Sequence, residues 1–132
     1  MKNILVTGGT GFIGSHTCIS LIKQGYKITI IDSCCNSSPS VIKNILLITK
    51  RLKESNLITF YKGDIRDKVF LKKVFIKSLK ENNPIEAVIH FAGLKSADES
   101  VKMPLLYWDN NVYGSICLFN IMEKFHCRNI VF

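Results

Sequence analysis

Gly8, Gly11 and Gly14 stand three residues apart in the segment Thr7-Gly8-Gly9-Thr10-Gly11-Phe12-Ile13-Gly14. A short apolar run, Asn3-Ile4-Leu5-Val6, leads into it and a helical pattern follows. Strand, glycine turn and helix together make a cradle for a dinucleotide pyrophosphate. One glycine makes the tight turn, one lets backbone approach phosphate, and one lets helix pack on strand. The start of the helix offers unpaired N–H groups and the positive end of its dipole. Asp32 closes the next strand, 18 positions after Gly14. A carboxylate there accepts hydrogen bonds from the adenine-ribose hydroxyls and repels a 2′-phosphate. No Arg lies between Asp32 and Arg51 to neutralise such a phosphate, so the expected cofactor is NAD rather than NADP. A turn-starting role for Asp32 is compatible with this one.

The elements that must position these residues alternate in type. A helix is expected from Phe12 to Gln24, with Ile13, Cys18, Ile19 and Ile22 at helical spacing and Gly25 ending it. The second strand is Lys27 to Asp32, and Ser33 to Ser38 reads as a loop before Pro39. Ser40 is expected to cap a helix reaching Glu54, with Val41, Ile45, Ile48 and Leu52 on one face. The third strand is expected over Leu57 to Tyr61. A helix then runs from Asp67 to Lys80 with Val69, Phe70, Val74 and Leu79 inward. The fourth strand is Glu86 to Phe91, whose run Ala87-Val88-Ile89 suits burial on both faces. Pro104 opens a long helix to Phe125 that Gly114 should weaken, and Asn129 to Phe132 reads as a fifth strand. This alternation predicts an α/β fold, a doubly wound parallel sheet of Rossmann type with strand order 3-2-1-4-5. Ligand is expected past the carboxyl ends of strands one and four, where the winding reverses.

Bulk properties restrict the function classes. The 132 residues suit one domain, with 47% hydrophobic and 21% charged residues as in globular chains. No apolar run reaches the ~18 residues of a membrane span, and with the glycine turn so near the start no cleavable leader is expected. Of the 18 basic residues, 11 lie between Val41 and Lys80 against three acids. They recur along expected helices as solvated faces, without interleaved aromatics, so nucleic acid is not an expected partner. The five cysteines are odd in number and form no C-x-x-C pair, and the three histidines are far apart, so no metal site is expected. Incidental thiols in a reducing cytoplasm are the expectation, with Cys34-Cys35 near the adenosine end of a cofactor. The chain stops at Val131-Phe132 inside an apolar strand. The expectation is therefore a single domain over 1–132 that is the amino-terminal part of something longer.

Four blocks together carry a family resemblance. Val6 to Thr17 resembles the opening of the extended short-chain dehydrogenase/reductases, and more narrowly the TGGxGxIGSHT pattern of the UDP-glucose 4-epimerases. Asp32 to Ser37, Gly63-Asp64-Ile65-Arg66-Asp67, and His90-Phe91-Ala92-Gly93-Leu94-Lys95 with Glu99-Ser100, Pro104 and Asp109 to Val112 are similar to later epimerase blocks. Asp98, where a small residue is usual, and Trp108, where Tyr is usual, depart from the pattern.

The resemblance implies a role for each matching position. Gly8, Gly11 and Gly14 would shape the pyrophosphate turn, with Phe12 and Ile13 giving backbone N–H groups. Asp32, Asn36 and Ser37 would hold the adenosine ribose and its phosphate side. Asp64 and Ile65 would flank adenine. Phe91, Ala92, Gly93 and Lys95 would pass the nicotinamide half, and Asn110 would sit near the cofactor on the long helix. On residue type alone, Lys95 reads as a solvated lysine and Asn110 as a helix residue bonded to backbone. The implied activity is interconversion of UDP-glucose and UDP-galactose by transient oxidation at C4 with bound NAD, in a cytoplasmic homodimer acting on a UDP-hexose. The family's catalytic Ser/Thr and Tyr-x-x-x-Lys lie beyond the fifth strand. Tyr107 and Tyr113 lack that spacing, so no catalytic residue is assigned and the 132-residue chain alone is expected to be inactive. An inactive NAD-binding relic and a fragment of another nucleotide-sugar enzyme are the alternatives.

Overall fold

A computed structural model describes residues 1–51 and 54–132. Its centre is β1 (Asn3–Thr7), buried at every position. A strand buried on both faces loses the polar alternation of a surface strand. Here β1 pairs in parallel with β2 (Lys27–Asp32) on one side and β4 (Ile85–His90) on the other. Outward from these lie β3 (Ile58–Lys62) and β5 (Asn129–Val131), giving the order β3-β2-β1-β4-β5 expected from the alternation. Side chains alternate across the sheet. Ile4, Val6, Ile28 and Ile30 pack under α1 (Phe12–Lys23) and α2 (Val41–Ile48), with Cys18, Ile22 and Ile45. Leu5, Ile31 and Val88 face the opposite layer, where Leu71, Val74, Phe75 and Leu118 fill the core. Those come from α3 (Lys68–Lys80) and the last helix of the chain. Among the described residues no helix is long and apolar enough to cross a membrane.

Several expectations are corrected. The second helix ends at Ile48, not Glu54, because Lys50 adopts a left-handed φ of 58° while its N–H and that of Arg51 donate back to the Leu47 and Leu46 carbonyls. Ser40 makes no cap: it is already helical, and its N–H donates to the Ser38 hydroxyl at 3.3 Å. Ile48 is exposed, whereas Val41, Ile42, Ile45 and Leu46 pack on the sheet; Leu52 lies outside the described residues. The third strand starts at Ile58, with Leu57 in a 3₁₀ turn. In α3 the buried stripe is Leu71, Val74, Phe75 and Ser78, while Val69 and Leu79 are exposed. At 100° per residue Val69 points away from that stripe and Leu79 lies at its flank. Asp67 caps α3, its carboxylate accepting from Phe70 N–H at 2.9 Å. The fourth strand runs Ile85 to His90, and Ala87 and Ile89 are only half-buried. After Gly93 the structure has a short helix that the sequence did not announce, α4 (Ala97–Lys102), capped by Ser96. The long helix is three pieces: α5 (Pro104–Tyr107), a π-helical turn over Trp108–Tyr113, and α6 (Gly114–Lys124). Gly114 stands where the π turn passes into α6; it is buried, and a Cβ there would lie 2.7 Å from Ile65 Cδ1, so glycine permits helix and loop to touch.

Candidate cofactor-binding site

At the carboxyl ends of β1, β2 and β4 a cleft of about 290 Å³ opens. Every site residue expected from the sequence lines it except Ser37. Its walls come from the glycine turn with Phe12 and Ile13, the loop after β2, the loop after β3, the Phe91–Lys95 segment and Asn110 of the π turn.

The first wall is backbone. Gly8 adopts φ +68°, and a Cβ there would sit 2.8 Å from Ala92 N. A Cβ on Gly14 would collide with the Gly8 carbonyl oxygen. Gly11 N–H donates to that oxygen at 3.1 Å and Gly11 occupies the N-cap of α1. No side chain caps α1 and no acid stands in its first turn, so its terminal N–H groups and dipole favour an anion.

Asp32 forms the floor next to that turn and is buried, 8% exposed. One carboxylate oxygen accepts from Thr10 N–H at 3.0 Å. The other accepts from Cys34 N–H at 2.9 Å and Ser37 Oγ at 3.4 Å. Backbone donors aim the carboxylate, so Asp32 both starts the turn and faces the cleft. Ser37 stands behind it, sharing a 2.6 Å hydrogen bond with Thr10 Oγ1. Asn36 and Cys35 take the lining positions, Cys35 with an exposed free thiol.

Asp64 and Ile65 line the far side of the cleft floor. The Arg66 guanidinium forks onto Asp64 at 2.6 Å and reaches Asp109 of the π turn at 2.5 Å. That hydrogen-bonded pairing, opposed by partial burial, lowers the Asp64 carboxyl below its ordinary value and raises Arg66 above its own.

The last wall is held by side chains. Asn111 Oδ1 accepts from Leu94 N–H at 2.8 Å while its Nδ2 donates to Leu94 O at 2.9 Å. Asn110 donates to the same Oδ1 at 2.9 Å, a side chain and not a backbone partner, and faces the cleft. Lys95 is exposed at the rim. Ile31, Ser33, Gly63 and Leu94 also line the cleft and went unassigned from sequence. Each adjoins an assigned residue in the chain, and that adjacency was the available signal. Arg66, Asp109 and Asn111 stood inside quoted motifs, but nothing in their types marked them as the ties between walls.

A family profile described as GDP-mannose 4,6 dehydratase matches residues 5–132. The chain belongs to that family. Among its relatives the UDP-glucose 4-epimerase of Neisseria meningitidis serogroup A is 49% identical over 132 residues, covering all of this chain and 36% of the relative. UDP-glucose 4-epimerase 2 of Arabidopsis thaliana is 40% identical over 131 residues, 99% of this chain and 35% of that protein. A crystal structure of the Stenotrophomonas maltophila UDP-glucose 4-epimerase, with bound NAD and formylated UDP-arabinopyranose, superposes with a TM-score of 0.88 at 42% identity. It covers the whole of this chain and 36% of that one. The Bifidobacterium longum enzyme in complex with NAD+ and UDP gives 0.87 at 40% identity, over 98% of this chain and 36% of that one. The epimerase resemblance read from the four blocks is thus supported across the chain's full length. The chain spans about 36% of the length of the epimerases it matches.

Proposed function

We propose that this chain is the NAD-binding part of a UDP-glucose 4-epimerase. The observation that carries the reading is the meeting of the glycine turn, Asp32, Asp64, the Phe91–Lys95 segment and Asn110 around one cleft. The residues present fit the dinucleotide. Gly8 and Gly14 leave a cradle that a Cβ would fill, and α1 presents uncapped N–H groups to a pyrophosphate. Phe12 and Ile13 contribute that backbone. Asp32, with Asn36 beside it, receives the adenosine ribose and disfavours a 2′-phosphate; Ser37 braces the carboxylate from behind. Asp64 and Ile65 flank the adenine, and Phe91, Ala92, Gly93, Lys95 and Asn110 bound the nicotinamide half.

NAD+, when bound, accepts and returns the hydride in C4 oxidation and reduction of a UDP-hexose. This chain's residues hold and orient it, and the proton chemistry falls to the Ser/Thr and Tyr-x-x-x-Lys of the complete enzyme. A homodimer fits the exposed apolar stripe Val112, Ile116 and Phe119, and a reducing cytoplasm fits five free cysteines. The test is calorimetric titration of NAD+ and NADP+ into the 132-residue protein, wild type and Asp32→Ala. Wild type should prefer NAD+, and the substitution should cost about 1–3 kcal/mol of NAD+ affinity and narrow the gap. Equal or tighter NADP+ binding by the wild type would overturn the reading.

A further inference from the structure

A buried polar chain runs behind the Phe91–Lys95 wall, and its proton positions are determined by its own geometry. Ala92 N–H donates to Thr7 Oγ1 at 3.1 Å. Thr7 Oγ1 lies 2.5 Å from His90 Nδ1. His90 Nε2 lies 3.0 Å from Ser115 Oγ, which donates to the Asn111 carbonyl at 2.5 Å. Ser115 has one proton and that last bond uses it. Towards His90 the Ser115 oxygen therefore accepts, which puts a proton on Nε2. In the neutral ring Nδ1 is then bare, and the Thr7 hydroxyl donates to it while accepting from Ala92. The reverse assignment would leave Ser115 Oγ and the Asn111 carbonyl oxygen facing each other without a proton between them.

The chain closes on itself through Asn111, whose side chain grips Leu94, two residues beyond Ala92. Both ends of Ala92–Leu94 are thereby tied to the π turn that presents Asn110 to the cleft. His90 is 8% exposed and has a partner at each ring nitrogen, which fixes the orientation of its ring. We propose that His90 is a positioning residue, a neutral imidazole protonated on Nε2 that sets the distance between the Ala92–Leu94 wall and the Asn110–Asn111 wall. Its effect on NAD rests on the cofactor reading above, but the tautomer does not. Burial and the Lys95 charge, which push the imidazole down to about 4, agree with a neutral ring.

The experiment uses the ¹⁵N-labelled 132-residue protein near neutral pH. Long-range proton–nitrogen correlations should show His90 protonated on Nε2 alone; an Nδ1–H tautomer or a cation overturns the proposal. His90→Leu and Ser115→Ala should then speed hydrogen exchange at the Leu94 amide without cofactor, and weaken NAD+ binding about tenfold, the scale of one buried hydrogen bond. His90→Asn, which keeps an acceptor towards Thr7, should fall between wild type and His90→Leu. If His90→Leu fails to fold, Ser115→Ala carries the same readouts from the far end of the chain. Unchanged Leu94 exchange with wild-type affinity in Ser115→Ala overturns the spacer role. If wild type binds no NAD+, the cofactor reading fails, and the tautomer and Leu94 exchange still decide the positioning role of His90.

Discussion

The two walls of the cleft are built from different materials. The wall at the end of β1 is main chain: Gly8 at positive φ, Gly14 under the Gly8 carbonyl, and the uncapped start of α1. The wall at the end of β4 is a lattice of side chains, with Asn111 on Leu94 and His90 between Thr7 and Ser115. A main-chain wall fails by collision, because an added Cβ has nowhere to go. A side-chain wall fails bond by bond, and each loss costs about one hydrogen bond unless the partner is stranded in the interior.

That contrast orders the substitutions. Gly14→Val should have the largest effect, about 3–4 kcal/mol or more of stability in urea unfolding, since the new branch meets backbone that cannot move aside. A loss below about 1 kcal/mol would show that the turn yields and that the two walls do not differ in kind. Next comes acid. The folded His90 value, about 4, lies below the ordinary 6.5, so the unfolded chain takes its proton first as pH falls. Stability from this group is full above about pH 6.5 and is lost as pH drops towards 4, to a limit of about 3 kcal/mol. Lys95 is the charged group acting on it. The lowered Asp64 carboxyl adds its loss only in more acid solution, as pH falls through its folded value. Urea titrations between pH 7 and 4 should show this slope in wild type and a flatter one in His90→Gln.

Asn111→Ala should cost about 2 kcal/mol, because both Leu94 backbone groups lose their partner in a half-buried place. Thermal unfolding, with hydrogen exchange at Leu94, measures it. The smallest effect belongs to Asp109→Ala. Its ion pair with Arg66 is half exposed and Arg66 keeps Asp64, so a change below about 1 kcal/mol is expected, shrinking in salt. A larger loss would mean that the tie between the β3 loop and the π turn acts as part of the side-chain wall.

Legibility from sequence follows the same division. The glycine turn was readable because its constraints are local: a positive φ, a close approach and a helix start involve residues a few positions apart. Asp32 was readable for the same reason, as a polar residue closing an apolar strand. The phase of α3 was misjudged although its boundaries were close. Val69 and Leu79 are apolar, but only the sheet beneath decides which side of the cylinder is covered, and it covers Leu71, Val74 and Phe75. The end of α2 carried no glycine signal because Lys50 took the left-handed position itself.

The alternation of the five strands with their main helices, the main-chain cradle and the carboxylate at the end of β2 were determined by the sequence alone. Periodicity, glycine and strand-end chemistry act over a few residues and need no distant partner. Only the tertiary structure decided the π turn over Trp108–Tyr113, the neutral spacer at His90 and the grip of Asn111 on Leu94. Thr7 and His90 are 83 positions apart, and His90 and Ser115 are 25. Such residues acquire a common role when the parallel sheet sets the ends of β1 and β4 side by side and α6 packs across them. In that dry setting each buried polar atom must find a partner, and the partners within reach are chosen by the packing of the elements, not by spacing along the chain.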